Sequence, residues 1–453
     1  VPLNKRNQKE RGEETMGLAT FKGGIHPYEG KELSENKPIQ VLLPKGELVF
    51  PMSQHIGAPC KPLVQKGDYV KVGQLIGDTD AFVSAPIHAS VSGTVTGLEE
   101  QRSAMGGTDT LVVIETDKKQ ELSEEVKVPA EPKDLAEFVK AVRESGLVGL
   151  GGASFPTHIK FNPKNIDDVH ALIVNAAECE PFITSDHRLM LETPDALLDG
   201  CLLIMKYVGL DKGYIAIEEN KPDAIELLDK RIKERGITNI ETFKLQARYP
   251  KGAERVLVYE ITGKTMDAGV LPADMGVILD NVTTVAFVGQ YFKTGRPLTT
   301  KRVTVDGDAV AQPKNVIAPI GTSVHDVIEF CGGYKAEPKK ILMGGPMMGR
   351  AIYSDAMPLV KNNNAILAFS GPQSIVKEET ACINCGRCHQ ACPFKLIPTA
   401  LAKAYEMRDA QALKDLRVMQ CMNCGSCSYI CPAHRPLGFI NTLGKTVLKE
   451  AGI

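Results

Sequence analysis

The chain has 453 residues, with 53 lysines and arginines against 55 aspartates and glutamates, a formal net charge of −2, no tryptophan and 12 cysteines. Such a length predicts two to four domains, and the near-zero charge gives no general electrostatic case for binding nucleic acid or an anionic membrane. No apolar run reaches the roughly 18 residues that span a bilayer, so we expect any membrane role to be peripheral. Eight cysteines fall between Cys382 and Cys431, which favours a metal-binding module in a reducing compartment over a disulfide scaffold.

The first 129 residues divide into a polar leader and a β-rich domain. Residues 1–16 contain no apolar segment of a secretory signal, and we expect a disordered leader there. Over residues 17–129, short β-branched runs alternate with Gly and Pro turns, which predicts a small β domain. Residues 67–98 resemble the hammerhead of lipoyl and biotinyl carrier domains, but the hairpin tip at residues 78–82 has no lysine for a prosthetic arm. The resemblance therefore implies the carrier fold without the carrier function.

The apolar period changes after Pro132. Helical spacing predicts an amphipathic helix over residues 133–145, followed by Gly146 at the position of a helix C-cap. Buried-type strands and helical stretches then alternate, the strands at residues 171–175 and 214–218 and the helices at residues 187–208 and 222–235. This alternation predicts a doubly wound α/β domain over residues 130–301.

The remainder of the chain divides into three predicted parts. Residues 302–349 have the order strand, strand, helix, strand, which resembles the soluble-ligand-binding β-grasp family. We interpret residues 350–371 as a linker or hairpin around an apolar stretch at residues 365–369. Residues 372–453 hold two cysteine runs, and helical spacing predicts one helix between them, in a helical two-cluster ferredoxin domain.

The strongest motif is a repeat of three cysteines, each separated from the next by two residues, followed three residues later by a Cys-Pro pair. In two-cluster ferredoxins the three close thiolates bind one [4Fe-4S] cluster, and the fourth cysteine binds the other cluster. We therefore predict a crossed assignment. Cluster 1 takes Cys382, Cys385, Cys388 and Cys431, and cluster 2 takes Cys392, Cys421, Cys424 and Cys427. Zinc is the alternative, but zinc prefers paired C-x2-C units to triplets.

Two further segments indicate a nucleotide site. Residues 146–160 are rich in glycine, so their N–H groups can approach an anion, and Lys160 can add charge for a phosphate. The third glycine of a Rossmann fingerprint is missing, and a flexible turn is the alternative. Residues 175–181 follow a buried strand, at the sheet edge where α/β folds bind ligands. Their two carboxylates suit ribose hydroxyls or a flavin N–H, with a solvated loop as the alternative, and we expect Cys179 between them to be an unreactive thiol.

With residues 249–254 and 280–284 following in order, these segments resemble the FMN- and NADH-binding flavoprotein subunit of respiratory complex I. The twin cysteine runs, the opening residues 21–27 and residues 344–349 make the chain more similar to the C subunit of the Rnf electron-transport complex, from about residue 20 to the end. The resemblance implies an oxidoreductase subunit that passes electrons between NAD(H), non-covalently bound FMN and two [4Fe-4S] clusters. It implies no catalytic residues beyond those that hold the cofactors.

The same resemblance assigns residues to the cofactors. It implies FMN contacts from Gly149, Gly151, Gly152, Lys160, Asn175, Glu178, Tyr249, Gly252, Asn281 and Thr284. It implies contacts to the nicotinamide nucleotide from Phe155, Glu180 and Glu254. Relative to the complex I pattern, Leu150 replaces an arginine and Ala177 replaces an acid, so the resemblance assigns no role to either position.

The implied setting is a membrane complex that transfers electrons between ferredoxin and NAD+ while moving Na+ or H+. The chain would be a peripheral subunit on the cytoplasmic side of a bacterial or archaeal plasma membrane, held there by partner subunits, with ferredoxin an indirect partner and no nucleic acid bound. One alternative is a soluble flavin and iron–sulfur reductase similar to cobalamin reductases, which lack the β-rich domain. The other is a non-catalytic electron-transfer module with two clusters and no flavin.

Overall fold

The structure is a computed structural model that describes residues 20–103 and 107–452. The predicted leader over residues 1–16 lies outside the described residues. Within the described ranges, no helix is both long enough and apolar enough to cross a bilayer. The strands fall into four sheets, and a helical unit follows them.

The β-rich part of the chain consists of two small antiparallel sheets. Its strands are β1 (Gln40–Val41), β2 (Glu47–Pro51), β3 (Lys61–Pro62), β4 (Tyr69–Val70), β5 (Leu75–Asp78), β6 (Ile87–His88), β7 (Gly93–Ser103) and β8 (Gly107–Thr116). One sheet has the order β2-β8-β7-β4 and the other has the order β3-β5-β6, while β1 belongs to a sheet later in the chain. Phe50, Ile76 and Ile114 are fully buried in the core that these strands share with the next domain.

The α/β part follows. Its elements are α1 (Leu135–Glu144), α2 (Thr157–Lys160), β9 (Ala171–Ala176), α3 (Ser185–Glu192), α4 (Pro194–Val208), β10 (Lys212–Glu218), α5 (Pro222–Glu234), β11 (Ile240–Leu245), α6 (Glu254–Thr262), β12 (Val277–Asn281) and α7 (Val282–Thr294). The four strands are parallel, in the order β11-β10-β9-β12. The strand order therefore reverses between β9 and β12, and ligands bind at the carboxyl ends of strands that flank such a reversal.

The helix predicted over residues 133–145 is confirmed as α1, with Asp134 accepting a hydrogen bond from the Glu137 N–H as its N-cap. The prediction of a single helix over residues 187–208 is wrong, because the structure has two helices there, α3 and α4. Pro194 cannot donate a backbone hydrogen bond inside a helix, so it occupies the first position of a new one.

A six-stranded sheet comes next. Its elements are β13 (Thr300–Asp306), β14 (Lys314–Pro319), α8 (Val324–Phe330), β15 (Lys340–Met343), β16 (Arg350–Ile352) and β17 (Ala365–Phe369), and the order is β1-β14-β13-β17-β15-β16. The structure corrects the linker or hairpin predicted over residues 350–371. All five residues of β17 are buried, and the strand pairs with β13 on one side and β15 on the other. The sequence pattern indicates an apolar strand, but the strand's partners are set by contacts across distant segments.

The cysteine runs lie among short helices. These are α9 (Arg387–Ala391), α10 (Pro398–Glu406), α11 (Ala410–Asp415), α12 (Ser426–Tyr429) and α13 (Leu437–Glu450). The prediction of one helix between the runs is wrong, because both α10 and α11 lie there. Arg408 has a left-handed φ of 50°, and the Asp409 side chain then caps α11 by accepting from the Ala412 N–H.

Lys361 ties three parts of the chain together. Its buried ammonium donates to the carbonyl oxygens of Pro86 at 2.6 Å and Gly146 at 2.7 Å, and its backbone N–H donates to the Gln54 side chain. Burial lowers the pKa of this lysine to about 8. Lys361 therefore links the β-rich sheets, the start of the glycine segment and the approach to β17.

We predict that Lys361→Ala lowers the free energy of unfolding by about 2–4 kcal/mol, because it leaves two buried carbonyls without their donor. The shift of the urea midpoint measures this loss. Lys377→Ala, which truncates an exposed lysine, is the matched control and should change stability by less than about 0.5 kcal/mol. Equal midpoints for the two variants would contradict the role of Lys361.

Candidate functional site

The glycine segment forms a closed loop beside α7. The N–H of Gly149 donates to the carbonyl of Phe155 at 2.8 Å, which closes the loop. The N–H of Leu150 donates to the Thr284 hydroxyl at 2.9 Å, and its carbonyl accepts from the buried Lys301 ammonium at 2.8 Å. The loop is thus anchored through the backbone of Leu150, a position to which sequence patterns assign no role.

Gly151 lies against the start of α7. A methyl group at Gly151 would come within 3.0 Å of Asn281 Cβ, whereas one at Gly152 would meet nothing within 4 Å. The Asn281 side chain caps α7 by accepting from the Thr283 N–H, and it also donates to Asp186 at 2.8 Å. A glycine at residue 151 therefore allows the loop to approach the helix N-terminus, which favours a phosphate.

Lys160 reaches the carboxyl end of β12 from α2. Its ammonium donates to the Leu279 carbonyl at 2.9 Å and lies 3.3 Å from a carboxylate oxygen of Asp280. Burial lowers the pKa of Lys160, but Asp280 and then Glu254 raise it by more, so the ammonium stays charged. Asp280 is itself buried, and this ion pair with Lys160 is the contact that its carboxylate makes to a charged group of opposite sign. Part of the charge of Lys160 is therefore already matched inside the protein.

Two buried lysines hold the acidic loop that follows β9. The Lys31 ammonium donates to the carbonyls of Glu178 at 2.8 Å and Ile183 at 2.6 Å. The Lys221 ammonium donates to the carbonyl of Ala177 at 2.7 Å. Sequence patterns do not reveal either lysine, because each comes from a segment outside the loop and no local spacing marks it.

The Glu178 carboxylate is turned toward α3. It accepts hydrogen bonds from the N–H groups of Asp186 at 2.6 Å and His187 at 3.3 Å, and the residue has a left-handed φ of 50°. Burial raises the pKa of Glu178, while Lys31 acts in the opposite direction. Glu178 therefore fixes the path of the loop as an anchor to α3, in addition to its predicted contact with a flavin.

The end of β9 also contacts the segment before α6. The Asn175 amide donates to the Gly252 carbonyl at 2.8 Å, and the Gly252 N–H donates to the Cys179 sulfur at 3.3 Å. A methyl group at Gly252 would lie 3.2 Å from that sulfur. Burial raises the pKa of Cys179, in agreement with the unreactive thiol expected there. The structure thus brings together these two segments of the predicted flavin site.

Tyr249 points toward the second cysteine run. Its buried hydroxyl donates to the carbonyl of Cys424 at 2.7 Å, and its backbone exchanges two hydrogen bonds with Ile25. Nearby, the Arg255 side chain donates to the carbonyl of Gln420 at 3.0 Å. The residue predicted to complete a flavin pocket therefore also joins the α/β domain to the cysteine module.

Glu180 is a second link to the cysteine module. One of its carboxylate oxygens accepts from the Met347 N–H at 3.0 Å, and the other has no partner among the described residues. The Met347 carbonyl in turn lies over the second cysteine run, 3.0 Å from where a methyl group at Gly425 would stand. Burial raises the pKa of Glu180 to about 7. Met347, to which sequence patterns assign no role, stands between the acidic loop and the cysteines.

The eight cysteines line two separate cavities. One cavity is lined by Cys382, Cys385, Cys388 and Cys431. The other is lined by Cys392, Cys421, Cys424 and Cys427. The first cavity lies at the surface, where Cys385 is exposed. The second lies beside Tyr249 and Met347.

The residues present fit both kinds of cofactor. Each cysteine cavity offers four thiols, the donor set of a [4Fe-4S] cluster. Around the glycine and acidic loops, several buried side-chain atoms have no hydrogen-bond partner within the described chain, namely Ser154 Oγ, Thr157 Oγ1, His158 Nδ1, Glu180 Oε1 and Asp280 Oδ2. Buried polar groups are normally paired, so these atoms suit a polar ligand such as FMN or a nucleotide.

Four family models match the chain in order. They are the RnfC barrel sandwich hybrid domain over residues 19–119, the Nuo51 FMN-binding domain over residues 142–290, the SLBB domain over residues 302–351 and the 4Fe-4S dicluster domain over residues 374–432. Together they support a multidomain α/β protein with an FMN-binding domain and a two-cluster domain.

Several curated proteins are similar over most of their length. The C subunit of a proton-translocating ferredoxin:NAD+ oxidoreductase complex from Clostridium ljungdahlii is 42% identical, over 85% of this chain and 84% of the relative. The C subunit of a Na+-translocating ferredoxin:NAD+ oxidoreductase complex from Acetobacterium woodii is 41% identical, over 86% of this chain and 88% of the relative. The C subunit of an ion-translocating oxidoreductase complex from Rhodobacter capsulatus is 37% identical, over 92% of this chain and 81% of the relative.

Among solved structures, the chain is similar to an NAD+-reducing [NiFe]-hydrogenase in its air-oxidized state. The TM-score is 0.51 and the sequence identity 20%, and the match covers 70% of this chain and 63% of the hydrogenase chain. At that identity the likeness concerns the fold alone.

We predict that Gly151→Ala weakens FMN binding at least about tenfold, equivalent to about 1.4 kcal/mol, because the added methyl group pushes the loop away from Asn281. Fluorescence titration of flavin-depleted protein with FMN measures the affinity. The control is Gly97→Ala in β7, where a methyl group meets no atom closer than 3.9 Å. Unchanged FMN affinity in Gly151→Ala would show that this loop is not part of the flavin site.

We also predict that Glu180→Gln is more stable than the wild type at pH 8.5, by about 1–3 kcal/mol, and that this advantage falls below about 1 kcal/mol at pH 5. Burial raises the pKa of Glu180 from an ordinary value near 4.5 to about 7, so the folded state binds more protons between these values. Stability is therefore lost as the pH rises from about 4.5 to about 7, and glutamine removes that loss. Urea unfolding at the two pH values measures it, and an equal effect at both would contradict the assignment.

Proposed function

The chain belongs to the family of RnfC, the C subunit of ion-translocating ferredoxin:NAD+ oxidoreductase complexes, and on that premise we propose how its residues carry out the function. It is a subunit of an oxidoreductase complex and has an FMN-binding domain and a 4Fe-4S dicluster domain. We propose that electrons pass between NAD(H) at the flavin site and partner subunits at the clusters, in either direction. The observation that carries this proposal is the hydrogen bond from Tyr249 to the second cysteine run, with Met347 as a bridge between Glu180 of the acidic loop and the same run.

FMN supplies two-electron exchange with NAD(H) and one-electron exchange with iron–sulfur clusters. The phosphate side of its site would be formed by Gly149, Gly151 and Gly152, with the N-terminus of α7 beside them. Lys160 adds positive charge there, although Asp280 takes part of it. Thr284 holds the loop in place through the Leu150 N–H.

The ring side of the site would be formed by the acidic loop. Lys31 and Lys221 fix the carbonyls of Ala177 and Glu178, so the loop keeps its shape without help from a ligand. Asn175 and Gly252 bring the neighbouring segment against it. These residues position and bind, and none is required to break a bond.

The nicotinamide nucleotide would meet Phe155, Glu180 and Glu254. Because burial raises its pKa to about 7, Glu180 is partly protonated at neutral pH. A protonated carboxyl can donate one hydrogen bond as well as accept, which suits an amide group of the nucleotide.

For the clusters we propose the crossed ligand sets, supported by the two cysteine cavities. Cluster 2 lies on the flavin side, because Tyr249 and Met347 contact its loop. Cluster 1 lies on the partner side. On the rim of its cavity, Ile383 is 67% exposed and Ile397 is 47% exposed, which leaves an apolar edge for a partner subunit.

The setting is a further proposal. Peripheral association with the cytoplasmic side of a bacterial or archaeal plasma membrane, through partner subunits and indirectly with ferredoxin, rests on the complexes to which the relatives belong. The names of two relatives differ in the translocated ion, so the coupling ion is not carried over. We also propose a lipoyl-like hammerhead for residues 17–129, a doubly wound domain for 130–301, a β-grasp module beginning at 302 that takes in β17, and a ferredoxin-like domain for 372–453.

The comparisons favour this function over the two alternatives. The RnfC barrel sandwich domain and the three relatives, each the C subunit of its complex, argue against a cobalamin-type reductase. The Nuo51 FMN-binding domain argues against a two-cluster module without flavin.

Anaerobic titration with NADH tests the proposed function. Purified chain with FMN and reconstituted clusters should retain about one flavin and about eight irons per chain. NADH should bleach first the flavin and then the cluster absorbance. Protein that retains no flavin, or retains it without bleaching, would contradict the proposal.

We predict that Cys392→Ala damages cluster 2 and spares cluster 1, because the crossed assignment gives this cysteine to the second run. Iron content should fall to about four per chain, and the EPR signal of the remaining reduced cluster identifies it. Cys385→Ala is the matched control and should damage cluster 1. Loss of the same cluster in both variants would contradict the crossing.

A further inference from the structure

The two cluster sites repeat one local geometry. Helix α10 begins at Pro398, six residues after Cys392, and α13 begins at Leu437, six residues after Cys431. Each helix follows the fourth cysteine of its run and packs against the other helix. Corresponding positions on the two helices can therefore be compared directly.

The backbone donor to the first cysteine of each run is the same at the two sites. The Asn384 N–H donates to the Cys382 sulfur at 3.4 Å, and the Asn423 N–H donates to the Cys421 sulfur at 3.4 Å. Both asparagines have left-handed φ angles, of 54° and 59°. These bonds contribute equally to each site and give no difference between the clusters.

A side-chain donor occurs at only one of the corresponding helix positions. Asn441 lies ten residues after Cys431, is 2% exposed and donates from its amide nitrogen to the Cys421 sulfur at 3.5 Å. The corresponding position, ten residues after Cys392, is Ala402, which is fully buried and has no polar side chain. The first cysteine of the second run therefore has a donor that the α10 position cannot supply to the first run.

The other end of the Asn441 amide has no partner. Within the described residues its buried oxygen accepts no hydrogen bond, and leaving a buried acceptor unpaired is destabilising. An apolar side chain of similar size would avoid that cost. Packing alone therefore does not explain an asparagine at this position. The favourable polar contact of the Asn441 amide is its hydrogen bond to the Cys421 sulfur.

We propose that Asn441 raises the reduction potential of cluster 2. Reduction adds one electron and no proton, so negative charge on the cluster and its sulfurs increases. A hydrogen bond to a more negative acceptor is stronger, which stabilises the reduced state, and such bonds are known determinants of cluster potential. The inference rests on the proposed function in one respect, the presence of cluster 2 in the cavity that Cys421 lines.

The test is an EPR-monitored redox titration of the holoprotein with Asn441→Leu, which keeps the side-chain size and removes the donor. The equilibrium constant for reducing cluster 2 should fall about tenfold, which is 59 mV for a one-electron couple, with cluster 1 unchanged. Thr442→Ala, at the exposed neighbouring position, is the control and should change neither cluster. An unchanged potential of cluster 2, or an equal shift of both clusters, would overturn the inference.

A reciprocal variant keeps the inference testable if Asn441→Leu fails to assemble cluster 2. Ala402→Asn introduces a donor at the corresponding position and should raise the potential of cluster 1 but not that of cluster 2. An unchanged or lowered potential of cluster 1 would overturn the inference. Wild-type protein with fewer than about eight irons per chain would instead contradict the proposed function, which separates the two failures.

Discussion

The hydrogen bond from the Tyr249 hydroxyl to the carbonyl of Cys424 joins the α/β domain to the cysteine module, and the proposed electron path depends on it. Met347 adds a second connection, because its N–H binds Glu180 and its carbonyl lies over Gly425. Both links end at the second cysteine run. Sites that must exchange electrons need a fixed separation, and buried backbone contacts of this kind provide it better than mobile surface side chains.

Buried lysines shape the rest of the site. Lys31 and Lys221 hold the acidic loop by donating hydrogen bonds to its backbone carbonyls. In the same way, Lys301 holds the glycine loop at Leu150, and Lys361 holds the start of the glycine segment at Gly146. Burying an ammonium is costly, and its hydrogen bonds recover only part of that cost. The positions of the loops therefore depend on long side chains from distant segments, while the loops themselves supply the groups that face a ligand.

Sequence patterns predicted what is local. The cysteine repeat, with its fixed spacing, predicted two ligand sets, and the structure places those same sets around two cavities. Helix α1 follows from apolar periodicity and the Asp134 cap. Tertiary contacts lay beyond these patterns. No spacing rule connects Lys31 to Ile183, places β17 between two earlier strands, or turns Tyr249 toward Cys424.

On the proposed path, electrons from the flavin site reach cluster 1 only through cluster 2. The most direct measurement is the rate at which NADH reduces cluster 1 in a Cys421→Ala variant that has lost cluster 2, followed by freeze-quench EPR. NADH should still bleach the flavin while cluster 1 stays oxidised, although dithionite can reduce it. Reduction of cluster 1 by NADH at the wild-type rate would contradict this electron path.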